Sequence, residues 1–239
     1  MTNGIAEKSP LVYARLAGFG LLLMAILAIF SNFFVIESLI IPGDATTTAN
    51  NIIANELLFR SGMASFIIVL ILDVLVAWAL YVLLKPVNKN LALLAAWFRL
   101  IYTAIFGVAL YNFLSVLQLL SGADYLTVFE TDQLHAQVML FINAFNNGWL
   151  IGLVFFGFHL FVVGYLIFKS GFMPRILGIL LIMSSMGYLI DNFAKLLLSN
   201  YTEYETIFLL IVAVPGVIGE LSLAIWLLFK GNKIPEMRS

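Results

Sequence analysis

Residues 61–84 decide the fold, and they read SGMASFIIVLILDVLVAWALYVLL. The stretch carries a single charged side chain, Asp73, near its middle. A helix needs about 20 mostly apolar residues to cross the roughly 30 Å hydrocarbon core of a bilayer. Lipid offers no water to open backbone groups, so a stretch of this length is expected to cross the membrane as a helix.

Glycine, proline and charged residues divide the rest of the chain into five further stretches of this kind. The six predicted spans are approximately residues 11–41, 61–84, 91–120, 138–168, 176–198 and 206–229. We therefore predict an all-α, polytopic membrane bundle of six transmembrane helices. We expect the helices to form three up-down hairpins within a single transmembrane domain over residues 1–239.

The composition excludes the usual classes of soluble protein. Hydrophobic residues make up 63% of the 239 residues and charged residues 10%, and mean hydropathy is +1.07. Soluble domains carry about 45–50% apolar and about 25% charged residues. The net charge of −1 gives no bulk attraction to nucleic acid. The absence of cysteine excludes disulfides and thiolate chemistry.

The charges between the predicted spans indicate an orientation. The connections at residues 85–90 and 169–175 are short and basic, whereas the other three are longer and acidic. Most lysines and arginines therefore fall on the side of the two termini. By the positive-inside rule, we expect both termini on the cytoplasmic side of the cell (cytoplasmic) membrane.

Four ionisable residues lie deep inside the predicted spans. Arg99, His159 and Glu220 each lie roughly 15 Å along the helix from a basic residue at the cytoplasmic end, and Asp73 roughly 18 Å, at about 1.5 Å per residue. An Asp or Arg at a helix centre costs about 2.5–3.5 kcal/mol on insertion, so such residues usually face the bundle interior. We expect the four side chains to meet near the bilayer centre.

The charge count of this layer raises a question of protonation. Asp73 and Glu220 supply two acids, and Arg99 supplies one permanent cation. Either His159 is protonated, or one carboxyl is neutral, or the layer needs a further cation. We hypothesise a ligand-binding or proton-coupling site around an Arg99 ion pair. The alternative is that Arg99 and one acid only fix helix register while the other polar groups bond to backbone.

A second polar set lies toward the outer ends of the spans. We hypothesise that it lines an outer vestibule, and its candidate members are Asn112, Asn143, Asn147, Asp191 and Lys195. The alternative is that these residues form interhelical hydrogen bonds and interface anchors. In the first outer loop, Asp44 follows Gly43 and is expected to cap a helix.

The chain lacks the residues that several common types of active site require. The chain has two histidines, and His135 is predicted in an outer loop while His159 is deep, which argues against bis-histidine haem ligation and a zinc hydrolase. No HExxH, GxSxG or phosphate-loop motif occurs. We therefore predict no catalytic residue, no metal site and no cofactor, and the sequence favours a role that is not enzymatic.

Short motifs along nearly the whole chain carry a family resemblance. They include Gly43-Asp44-Ala45, Glu56-Leu57-Leu58-Phe59-Arg60, Leu84-Lys85-Pro86, Phe98-Arg99, Gly157 with His159, Pro174-Arg175 and Gly219-Glu220. With them the chain resembles a bacterial membrane family known as domain of unknown function 4386. The resemblance implies a six-helix bacterial inner-membrane protein and supplies no activity.

Three classes of function are compatible with these features. The first is a membrane protein that binds or transports a small polar or amphiphilic molecule, coupled to protons through the deep ionisable layer. The second is a non-catalytic scaffold or regulatory subunit whose buried charges are structural, and the third is an intramembrane enzyme acting on lipid. The expected partners are the lipid bilayer and a small-molecule ligand, without nucleic acid, and the oligomeric state stays open.

Overall fold

Six helices are long and apolar enough to cross a membrane, as the sequence predicts. The computed structural model describes residues 9–234. Within that range the spanning helices are α1 (Pro10–Leu39), α3 (Glu56–Leu84), α4 (Lys89–Leu119), α5 (Thr131–Ser170), α6 (Arg175–Leu197) and α7 (Glu205–Lys230). A shorter helix, α2 (Ala45–Ala54), lies between the first two. The described residues contain no strand, so the predicted all-α membrane fold is confirmed.

Two helices begin five or more residues earlier than predicted. α3 starts at Glu56 rather than at residue 61, and α5 starts at Thr131 rather than at residue 138. Hydropathy marks only the part of a helix that lies in lipid, whereas a polar helix start is stable in water. At the start of α3, Arg60 Nε donates to Glu56 Oε1 over 2.6 Å, one helical turn apart. Acidic residues in a first turn also complement the helix dipole.

The predicted cap of the outer loop is confirmed. Asp44 precedes α2, and its Oδ1 accepts a hydrogen bond of 2.9 Å from the backbone N–H of Thr47. The hydroxyl of Thr47 donates to Oδ2 over 2.7 Å, and these hydrogen bonds hold the pKa of Asp44 below its ordinary value. Gly43 has φ +80°, a left-handed conformation that favours glycine. The loop therefore turns sharply and starts a helix whose Ile52 is buried.

The helices contribute to two compact units. The first contains the described residues up to Leu22, then Leu72–Tyr102, then those from Leu153 onward. The second contains Leu23–Ile71 and Thr103–Gly152. The single transmembrane domain that the sequence suggests therefore stays a prediction.

Aromatic packing dominates the core of the second unit. The rings of Phe106 and Trp149 lie 4.4 Å apart at their centroids, and those of Phe113 and Phe145 lie 4.0 Å apart. Phe66 packs edge-on against Phe106, at 5.2 Å. Each such pair contributes about 0.5–1.5 kcal/mol beyond the area it buries.

The C-terminal part of α1 contains a π-helical segment in this unit. The segment comprises Phe30–Ile36, and within it the buried Ser31 hydroxyl donates to the backbone oxygen of Gly62 over 3.1 Å. A β-carbon on Gly62 would lie 2.9 Å from Val35 Cγ1. The absence of a side chain at Gly62 therefore lets α1 and α3 approach closely at this point.

In the first unit, α6 and α7 pack through small residues. A β-carbon on Gly187 would lie 2.5 Å from the backbone oxygen of Ile211. Ser184 Oγ lies 2.6 Å from the backbone oxygen of Pro215 on α7 and donates a hydrogen bond to it. Because lipid gives helices no hydrophobic reason to associate, such close contacts and interhelical hydrogen bonds hold them together.

This packing predicts the effect of adding one methyl group at two different glycines. Gly187→Ala would force α6 away from the α7 backbone, and we expect it to lower the free energy of unfolding by about 1–3 kcal/mol. Gly107→Ala is the matched control, because a β-carbon there would meet only Leu70 Cδ1, at 3.7 Å. It is expected to be neutral or to stabilise by about 0.5–1 kcal/mol, since alanine favours a helix interior. Unfolding of the purified protein in detergent measures both, and equal effects would contradict the packing described.

Candidate functional site

An ion pair joins α3 to α4 in the first unit. Arg99 Nε and Nη2 lie 2.8 Å and 2.7 Å from the same oxygen of Asp73, Oδ1. The side chains are 1% and 0% exposed. Two charges buried in this way are tolerated only when they are paired and hydrogen-bonded, because each alone would be strongly destabilising. The pair therefore fixes the register of α3 against α4.

His159 on α5 extends this pair into a triad. Its Nε2 lies 3.1 Å from Arg99 Nη1, and its Nδ1 lies 2.9 Å from the backbone oxygen of Ala95. A guanidinium only donates hydrogen bonds and a carbonyl only accepts them. Nδ1 must therefore carry the proton and Nε2 must present its lone pair to Arg99. Both bonds are made only by the neutral Nδ1–H tautomer.

The tautomer of His159 removes one of the three charge states that the sequence leaves open for the layer. An imidazolium at position 159 would direct an Nε2–H at a guanidinium N–H, so the protonated form of His159 does not fit this geometry. Asp73, Arg99 and His159 together then carry no net charge. The remaining acid, Glu220, must be neutral or be balanced by a further cation.

Glu220 on α7 is bonded to α6. The hydroxyl of Tyr188 donates to Glu220 Oε1 over 3.2 Å. Gly216, one turn earlier on α7, lies beside this contact, and a β-carbon there would be in ordinary van der Waals contact with the Tyr188 hydroxyl, at 3.5 Å. Glu220 and Tyr188 are half-buried residues, whereas the three residues of the triad are fully buried. Among the four ionisable residues of the layer, Glu220 is therefore the one that is not fully buried.

Phe156 connects the triad with the Glu220 side of the layer. Its ring lies 5.6 Å from Arg99 Cζ, and its centroid lies 5.3 Å from that of Tyr188. The Tyr102 ring packs on the same phenylalanine, at 5.0 Å. Glu220 is also close enough for its charge to interact with those of Arg99 and Asp73. The structure thus brings three of the four predicted residues into direct contact and places Glu220 beside them.

Sequence reasoning missed the aromatic members of the layer. The chain has 21 Phe and 9 Tyr, and deep aromatic residues are hard to distinguish from packing and interface residues. One signal was present, since Tyr102 lies one turn after Arg99 and Phe156 one turn before His159. Residues with that spacing share a helix face.

Two of the outer candidates form a cluster in the first unit. Lys195 Nζ lies 2.8 Å from Asp191 Oδ2, and the hydroxyl of Tyr201 donates to Asp191 Oδ1 over 2.6 Å. Asp191 is buried while Lys195 is exposed. Burial, followed by this hydrogen bond, raises the pKa of Tyr201 above its ordinary value. The cluster ties the end of α6 to the turn that precedes α7.

The other three outer candidates belong to the second unit. Asn112 Nδ2 donates to the backbone oxygen of Ala109 over 2.9 Å, within its own helix. Asn112 also lines a groove of about 320 Å³ between α4 and α5, together with Ala104, Ile105, Val108, Ala109, Ala144 and Gly148. Asn143 and Asn147 are exposed. A vestibule shared by all five candidates stays a prediction.

Between residues 9 and 234, no three His, Asp or Glu side chains are grouped so that they could hold a metal ion. The layer in the first unit instead combines one ion pair, one neutral imidazole and one carboxyl with tyrosine hydroxyls. Such a set can bind polar groups and exchange protons.

Residues 16–231 match the family described as "Domain of unknown function (DUF4386)". The chain belongs to this family. A relative from Archaeoglobus fulgidus, described as "Uncharacterized protein", is 36% identical over 172 residues, which cover 72% of this chain and 85% of the relative. No solved structure matches the chain. The part that matches DUF4386 includes the triad, Tyr188 and Glu220.

The hydrogen bonds of His159 predict an observable tautomer in this DUF4386 protein. In ¹⁵N-histidine-labelled protein at neutral pH, we expect one protonated and one unprotonated ring nitrogen, with the proton on Nδ1. His135→Gln removes the signals of the only other histidine and so assigns the spectrum. Two protonated ring nitrogens, or a proton on Nε2, would contradict the triad.

Proposed function

We propose that this DUF4386 protein binds a small polar or amphiphilic molecule at the layer formed by Asp73, Arg99, His159 and Glu220. The supporting observation is Glu220, a half-buried residue deep within α7, whose carboxyl accepts a hydrogen bond from the Tyr188 hydroxyl. A carboxyl at this depth is costly in lipid, and intramembrane ionisable residues mark ligand or proton pathways by default. Ligand contact and proton coupling are therefore assigned to Glu220.

The triad has a different role in this proposal. Arg99 donates to Asp73 Oδ1 and to His159 Nε2, and His159 Nδ1 donates to the Ala95 carbonyl. They hold three spans in register and keep the layer electrically neutral next to Glu220. Binding sites need such a rigid support, because a ligand gains little from groups that must first be ordered.

The closed triad also favours the second candidate, a membrane scaffold or regulatory subunit. Paired intramembrane charges can serve helix association alone. In that case Glu220 and Tyr188 would form one more interhelical hydrogen bond, and no small molecule would stabilise the protein in a way that depends on Glu220. The two candidates therefore differ in a measurable ligand response.

The charges at the ends of the helices favour one topology in the membrane. We propose three up-down hairpins in the cytoplasmic membrane with both termini on the cytoplasmic side, supported by the basic residues near the ends of α3, α5 and α7. If the bound molecule is transported, it would pass the outer polar residues. These are Asn112, Asn143, Asn147, Asp191 and Lys195.

A ligand screen tests the proposed function. The probes are hexylammonium, hexanol and hexanoate, which share one tail and differ in head-group charge, and the readout is thermal unfolding of the protein in lipid nanodiscs. We expect at least one probe to raise the unfolding temperature saturably in the wild type. Glu220→Gln should abolish that shift while it leaves the fold intact.

The matched control is Glu205→Gln, in the exposed first turn of the same helix. It should retain the wild-type response to the probe. The scaffold candidate would be favoured over binding if no probe acted saturably, or if Glu220→Gln responded as the wild type does.

A further inference from the structure

The interior of the first unit contains oxygen atoms that lack a hydrogen-bond partner. Asp73 Oδ2, Ser185 Oγ and Asn192 Oδ1 are buried and have no hydrogen-bond partner. Asp73 and Ser185 are 0% exposed and Asn192 is 1% exposed. An unsatisfied buried polar group costs about 1–3 kcal/mol, and more if it is charged. All three atoms can accept a hydrogen bond, and the carboxylate oxygen of Asp73 and the amide oxygen of Asn192 can only accept.

Two of these oxygens share a helix face with the Glu220 contact. Ser185, Tyr188 and Asn192 follow one another at spacings of three and four residues, which places them along one side of α6. Tyr188, in the middle, donates to Glu220 Oε1. Asn192 uses its amide nitrogen on the backbone oxygen of Tyr188, at 2.8 Å, which leaves its oxygen to accept. The face therefore presents acceptors next to a carboxyl.

The cations near this face are already engaged. Arg99 directs Nε and Nη2 at Asp73 and Nη1 at His159. Lys195, toward the outer end of α6, pairs with Asp191. An anionic ligand would have to break one of these pairs and leave a buried carboxylate unbalanced. A cationic ligand with N–H donors would instead supply what the site lacks.

We infer that the ligand of the proposed site is a protonated amine, an organic ammonium cation that binds Glu220 and exchanges with a proton there. The inference rests on the proposed function and specifies its substrate class. The ammonium N–H groups donate to Glu220 and to the acceptor oxygen of Ser185, one helical turn before Tyr188 on α6. Charge-assisted hydrogen bonds of this kind are about twice as strong as neutral ones.

Charge balance explains why the proton and the cation exclude one another. The triad is neutral, so the layer is also neutral when Glu220 carries a proton or when an ionised Glu220 holds one ammonium cation. Both together would leave an uncompensated positive charge in lipid. When the cation binds to the protonated form, Glu220 loses its proton to solvent and its carboxylate gains the ammonium partner.

The remaining ionisable groups around Glu220 keep their charge during this exchange. They are Asp73 on α3, Arg99 and Tyr102 on α4, His159 on α5 and Tyr188 on α6. α1 contacts α7 from Ala224 onward, and its ionisable residues in this unit are Tyr13 and Arg15. The pH dependence of binding is therefore assigned to Glu220 alone.

Calorimetric titration of the full chain in nanodiscs with the same three hexyl probes tests the inference. We expect hexylammonium to bind at least about tenfold more tightly than hexanol or hexanoate. Its apparent Kd should rise as the pH falls, with a limit of about tenfold per pH unit when one proton is displaced. Titration in buffers of different ionisation enthalpy should show the released proton.

Substitutions locate the site. Glu220→Gln should abolish both the preference for hexylammonium and the pH dependence. Ser185→Ala removes one acceptor that has no partner in the free protein, so it should weaken hexylammonium binding several-fold while it leaves the stability of the free protein unchanged or raises it. Ser38→Ala, at an exposed serine bonded within its own helix, is the matched control and should bind as the wild type does.

The outcomes test the ligand class and the proposed binding function separately. Preferred binding of hexanoate or hexanol that is lost in Glu220→Gln would overturn the cation inference and leave the proposed binding function standing. Binding of hexylammonium without proton release would overturn the exchange. If none of the three probes bound the wild type saturably, both the inference and the proposed function would be overturned.

Discussion

The contact between Arg99 and Asp73 is the interaction on which the rest of the described site depends. An arginine at mid-span costs about 2.5–3.5 kcal/mol on insertion and more if it is left without a partner. This cost is offset only if α3 presents Asp73 at the same depth and the same face. Once α3 and α4 are fixed in this way, α5 must place His159 where it accepts from the guanidinium and donates to the Ala95 carbonyl. One ion pair thus sets the register of three spans.

The same ion pair distinguishes the triad, which holds the helices together, from Glu220, which is free to change its charge. A guanidinium with a single carboxylate and a neutral imidazole forms a closed group with no net charge. Glu220 remains outside that group, bonded to the Tyr188 hydroxyl and partly exposed. The triad already balances its own charge. Glu220 must therefore either carry a proton or, when it is ionised, be balanced by a bound ligand. This is the physical basis of the proposal that Glu220, rather than the more deeply buried residues, contacts the ligand.

Much of this arrangement was predictable from the sequence. The depth of Asp73, Arg99, His159 and Glu220 follows from counting residues to the basic ends of their spans, because a helix rises by a constant amount per residue. The cap at Asp44 follows from local chemistry. The early starts at Glu56 and Thr131 did not follow, because hydropathy ends where a helix leaves lipid and not where the helix itself ends.

The pairing inside the layer could not be derived in this way. Asp73 and Glu220 lie at similar depths, and only the arrangement of neighbouring helices decides which acid contacts Arg99. The protonation of His159 likewise depends on two partners from another span, Arg99 and the Ala95 carbonyl. For Phe156 and Tyr102 the only signal is their one-turn spacing from His159 and Arg99, and Tyr188 has no such signal. Sequence spacing gives depth and helix face, whereas contact requires the helices to be assembled.

A double-mutant cycle on the ion pair tests the central claim most directly. The free energy of unfolding would be measured in detergent for the wild type, Asp73→Asn, Arg99→Gln and the double variant. Each single change should destabilise by about 3–5 kcal/mol, because it leaves a buried charge unpaired. The double change should cost less than the sum of the two, with a coupling of about 1–3 kcal/mol. Additive costs would show that Asp73 and Arg99 do not depend on each other, and would contradict the account.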